Sequence, residues 1–102
     1  MEHNKLVRDK IPVIITAQGK TAVTRILDDA EYTHYLEAKL DEEAGEYHAD
    51  KSPEELADIL EVVFALAENL GCSREELLEI YRKKHDARGG FRDRVFLISV
   101  DD

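Results

Sequence analysis

Apolar residues recur at helical spacing in two neighbouring stretches, and each stretch carries acids where the pattern calls for leucine. In the first, at about 100° per residue, Leu36, Leu40 and Tyr47 define one line of a helix. Glu43 falls on that same line, with Glu46 and Lys39 roughly 60° to one side. In the second, Leu56, Leu60, Val63 and Ala67 make one apolar stripe, and Val62 and Leu66 begin another roughly 100° round the helix. Glu55 and Asp58 lie on that second stripe, whereas Glu54, Glu61 and Glu68 recur every seven residues on the polar strip.

Start and stop signals bound these helices. Asp28 or Asp29 caps the first, which is expected to run to about His48. Ser52-Pro53-Glu54-Glu55 opens the next with a serine cap, an early proline and a glutamate at the third position, and Leu70-Gly71 ends it. Ser73-Arg74-Glu75-Glu76 repeats the capping box for a last helix, on which Leu77 and Tyr81 mark the inward line and Lys84 and Arg88 continue it. Upstream, Leu6, Ile11, Ile14 and Ile15 are spaced for a short helix within residues 4 to 18, its other side carrying Lys5, Arg8 and Lys10. Pro12 either sits in its first turn or breaks it.

Two β-branched runs remain, T-A-V-T-R-I-L and R-V-F-L-I-S-V. A lone strand needs a partner, so residues 21–27 are expected to pair with 94–100 as a small ribbon. The expected fold is mainly α: a four-helix bundle carrying that ribbon. Because the helix from Pro53 is apolar on two faces, dimerisation is expected to complete the bundle.

Glu43, Glu46, Glu55 and Asp58 on inward faces would repel one another, and burying an unpaired charge costs several kcal/mol. A divalent cation is the simplest offset, and an all-oxygen ligand set favours Mg²⁺ or Mn²⁺ over zinc. Glu55 has a competing role as the reciprocal partner of Ser52 in a cap, which leaves Asp58 unexplained. Lys5, Arg8, Lys10, Lys39, Lys84 and Arg88 are the candidates for holding an anionic substrate, with surface snorkelling as the plainer alternative.

The 102 residues form one expected domain, 1–102. A net charge of −9 argues against nucleic-acid polymers and anionic membranes as partners. No stretch reads as a signal peptide or a membrane span, and the single Cys72 fits a reducing cytoplasm. There is no P-loop, GxSxG or HExxH, and His3, His34, His48 and His85 lack metal-ligand spacing.

The E-E-A-G-E of Glu42 to Glu46, followed by the E-L-A-D of Glu55 to Asp58, resembles the EExxE...ExxD signature of the all-α nucleoside triphosphate pyrophosphohydrolases, the MazG-like superfamily. N-K-L-V-R-D-K-I-P near the start and R-G-G-F near the end look like its small single-domain branch, which is phosphoribosyl-ATP pyrophosphohydrolase-like. The resemblance implies Mg²⁺ held by Glu43, Glu46, Glu55 and Asp58, and cleavage between the α- and β-phosphates of a nucleoside triphosphate. In the expected mechanism Glu43 or Glu46 takes the proton of the attacking water; the expected assembly is a homodimer or tetramer, and the N-terminal basic segment with the predicted strand pair favours a role in nucleotide-pool cleansing. The alternatives are a phosphoribosyl-ATP hydrolase of histidine biosynthesis and a non-catalytic helical dimer that binds a nucleotide or a protein.

Overall fold

The structure, a computed structural model, describes residues 2–102. Four helices follow one another: α1 (Ile11–Ala17), α2 (Asp29–Asp50), α3 (Pro53–Asn69) and α4 (Arg74–Arg88). The chain is mainly helical, as the periodicity predicts. None of these helices is long and apolar enough to cross a membrane.

Local chemistry sets the helix ends. Asp28 accepts the Glu31 N–H at 2.9 Å, and the Asp28 N–H donates back to the Glu31 carboxylate at 3.3 Å, a reciprocal cap at the start of α2. Arg25 also grips Glu31 at 2.7 Å, and with the cap it holds that carboxyl down to about 2. Ser73 and Glu76 form the expected box on α4. The expected box at Ser52 does not form, because Ser52 makes no side-chain cap to α3. Pro53 has no N–H to satisfy at that end, which removes one of the donors a cap would serve.

At the other end of α3, Gly71 takes φ +83°, and the N–H groups of Gly71 and Cys72 donate to Glu68 and Ala67, each at 2.9 Å. These are the two bonds of a Schellman stop, and they require the left-handed residue that glycine supplies.

Lys51 and Ser52 alone join α2 to α3, so the two helices fold back on each other as an antiparallel hairpin. Lys51 turns the chain in the left-handed region, and Ser52 is extended, as a residue before proline must be. At the far end of the hairpin Asn69 Nδ2 donates to Thr33 Oγ1 at 2.9 Å. The Val62 stripe of α3 turns towards α2, and the deepest burial is at Leu36, Val62 and Ala67. The other stripe is covered only in part: Leu56 and Leu60 are half exposed. α4 packs on α3, but Tyr81, Lys84 and Arg88 face solvent rather than continuing an inward line.

Two further expectations are corrected. The first helix is confined to Ile11–Ala17, with Lys10 as its N-cap, because Pro12 belongs in a first turn and cannot sit in the middle of a longer helix. Lys5 and Arg8 therefore precede it in irregular chain and reach across to other helices. The ribbon of 21–27 with 94–100 is also absent, as neither run forms a strand. Val23 and Ile26 are each 95% exposed, and Val95 and Phe96 each 87%, so these side chains are not seated on a helix. A two-stranded ribbon without a surface beneath it buries too little to offset the ordering of two segments.

Candidate metal centre

The hairpin turn brings the acids together. Glu46 and Asp50 lie in the last turn and a half of α2 and Glu55 in the first turn of α3, so these carboxylates meet across a two-residue connection. One oxygen from each of Glu46, Asp50 and Glu55 lies within 4.8 Å of the others. Deeper along the hairpin, Glu43, Glu55 and Asp58 form a second triad with the same limit. Glu55 belongs to both. All four acids singled out by the sequence thus converge on one seam, together with a fifth, Asp50.

Asp50 escaped the sequence reading, although its spacing carried the signal. Glu43, Glu46 and Asp50 follow one another at intervals of three and four, which places them on one helix face.

The cations are distributed unevenly around the seam. Lys39, one turn before Glu43, contacts it at 3.3 Å and Glu42 at 3.1 Å. Lys5 meets Glu42 at 2.9 Å, and that hydrogen bond, ahead of the ion-pair attraction, raises the lysine and lowers the carboxyl. Arg8 spans Asp58 at 3.2 Å and Glu61 at 3.1 Å, which fixes the irregular N-terminal segment onto α3. Glu61 is also approached by Arg74 at 3.8 Å, so it is not the simple solvated charge its heptad spacing implied. Lys10, Lys84 and Arg88 make no ion pair with the cluster among the described residues, and all three are exposed.

Glu46, Asp50 and Glu55 have no basic partner among the described residues. The cost shows at Glu55, whose carboxyl is pushed above its ordinary value, first by burial and then by the charges of Asp50, Asp58, Glu46 and Glu43. A carboxyl raised in the folded state contributes stability below its unfolded value near 4.5, and that stability is lost as pH rises through the folded value. Without divalent cation, Glu55→Gln is therefore expected to melt above the wild type at pH 7 and to match it near pH 4. Thermal melts in chelator at the two pH values check this, and a variant that melts below the wild type at pH 7 overturns it.

The donor set suits a hard cation. Six oxygens at about 2.1 Å from Mg²⁺ lie between roughly 3.0 and 4.2 Å apart, so triads within 4.8 Å need only small side-chain adjustments to close on one ion. No nitrogen or sulfur ligand stands among them, which disfavours zinc.

No protein-family model matches the chain, and no solved structure matches it. Over 45 residues it is 56% identical to an uncharacterized protein of Mycolicibacterium smegmatis, a match that takes in 44% of this chain. The chain spans about half the length of that relative, 46%.

Proposed function

We propose that the chain is a Mg²⁺-dependent pyrophosphohydrolase of the MazG-like kind, converting a nucleoside triphosphate or a related phosphoribosyl nucleotide to the monophosphate and pyrophosphate. The observation that carries this reading is the convergence of Glu43, Glu55 and Asp58 from two helices onto one partly buried point. Carboxylates that serve only as caps or surface charges have no reason to gather there against their mutual repulsion.

Glu43, Glu46, Glu55 and Asp58 would hold the cation, with Asp50 beside them. When bound, Mg²⁺ supplies a Lewis acid that neutralises charge on the phosphate oxygens. Glu46 has no basic partner among the described residues and Glu43 is tied to Lys39, so Glu46 is the freer of the two to accept the proton of an attacking water. Lys39, Lys5 and Arg8 already point their donors at the rim of the seam, where they can exchange carboxylate for phosphate. Mn²⁺ fits the same oxygens.

The same proposal makes the unit a homodimer. The Leu56 and Leu60 stripe of α3 is half exposed, and a second copy is the cover that its sequence implies.

Pyrophosphate release from a panel of canonical and damaged nucleoside triphosphates tests the activity. Turnover is expected in Mg²⁺ and absent in chelator for at least one nucleotide. Release that is the same with and without the cation, in wild type and in Glu46→Gln alike, would leave a binding module in place of an enzyme.

A further inference from the structure

The chain exposes more surface than its size requires. A compact monomer of 11.7 kDa presents roughly 5,900 Å², whereas this one presents 9209 Å², an excess of about 3,300 Å². The radius of gyration is 17.9 Å against roughly 13 Å for a compact domain of this length. Obligate interfaces bury upwards of about 2,000 Å² in total, or about 1,000 Å² per chain, so the excess is more than enough to supply a stable dimer interface.

Much of the excess lies in the two β-branched runs. Val23 and Ile26 stand bare near α2, and Val95, Phe96, Leu97, Ile98 and Val100 are 72–89% exposed beyond α4. The topology explains why they miss each other within one chain. The Asn69 to Thr33 bond puts the start of α2 beside the end of α3, and α4 starts there too. Its 15 residues then carry the C-terminal run roughly 22 Å from that end before it begins.

We propose that the two runs pair between copies: residues 94–100 of one chain lie antiparallel along 22–28 of a second, and the exchange is reciprocal. The occupant of each bare run is thus the other run of a twofold partner. The charges select the direction and the register. With Phe96 opposite Ile26, Arg94 falls opposite Asp28 and Asp102 opposite Lys20, so both ends of the ribbon close with opposite charges. A parallel arrangement would instead bring Asp101 and Asp102 towards Asp28 and Asp29.

In this register Phe96, Ile98 and Val100 share one face with Ile26, Thr24 and Ala22. A free ribbon is not stable, and this apolar face needs helices beneath it. Leu56, Leu60, Ile80 and Tyr81, which are 50–59% exposed, offer that surface. The inference rests on the dimer proposed above and is independent of the hydrolase assignment.

Disulfide trapping tests it, in the full-length chain with Cys72→Ser to remove the native thiol. Thr24→Cys and Ile98→Cys are made in separate chains, mixed, exchanged and oxidised, and mass in solution is read by light scattering. The expected result is a dimer by mass and, on a non-reducing gel, a covalent species of twice 11.7 kDa from the mixture. The double variant should give the same doubled band. A double variant that closes within one chain, or a dimer that yields no mixed cross-link, overturns the ribbon while leaving the dimer standing. A monomeric mass overturns both, and neither result bears on turnover.

Discussion

Glu43→Gln is expected to lower the proposed Mg²⁺-dependent turnover by roughly 10²- to 10³-fold, the several kcal/mol that a correctly held Lewis acid contributes to phosphoryl transfer. Glu43 is more enclosed than Asp58, its side chain 12% exposed against 37%. The substitution keeps size and shape and removes one charge. It also leaves Lys39 paired, because Glu42 stays within 3.1 Å, so no lysine is stranded to confuse the outcome. Asp58→Asn is expected to act in the same direction. Glu68→Gln, on the exposed strip of α3, is expected to leave turnover unchanged. Steady-state rates across a Mg²⁺ titration, with circular dichroism to confirm folding, decide the matter. If Glu43→Gln turns over at the wild-type rate, the seam does not carry the chemistry.

Leu36→Ala is the second large effect, and it acts on the scaffold. Leu36 is 2% exposed, and only Val62 and Ala67 join it as buried apolar residues among those described. Truncating a buried leucine costs about 2–5 kcal/mol, a large part of the 5–15 kcal/mol that keeps a domain folded. At roughly 4–8 °C per kcal/mol for a chain of this size, the midpoint falls by about 10 °C or more. Leu70, 85% exposed at the end of α3, provides the contrast: Leu70→Ala stays within about 0.5 kcal/mol. Thermal denaturation of both variants reads the difference. Equal midpoints would place the stabilising contacts somewhere other than the hairpin.

Much of the helical architecture was legible from nearest neighbours along the chain. Asp28, Pro53, Gly71 and Ser73 mark helix ends because their effects are local: a side-chain acceptor, a missing N–H, a left-handed residue, a reciprocal cap. The inward direction of Glu43, Glu55 and Asp58 was legible for a similar reason, since 3.6-residue periodicity fixes where a side chain points on its own helix.

Periodicity does not say what stands opposite. Asp50 joins the cluster because the Lys51-Ser52 turn folds the end of α2 onto the start of α3. Arg8 reaches Asp58 across 50 residues of sequence, and no local pattern distinguishes it from Lys10, which makes no such contact. Strand propensity in the runs around Val23 and Phe96 predicted a ribbon that does not form, because pairing is non-local and the chain brings neither run to a partner strand. The sequence alone therefore determined the three longer helices, most of their ends and the inward turn of Glu43, Glu55 and Asp58, because these follow from interactions within a few residues. Only the tertiary structure decided which acids meet, which cations reach them and which apolar runs stay bare, because those depend on how the helices are placed against one another.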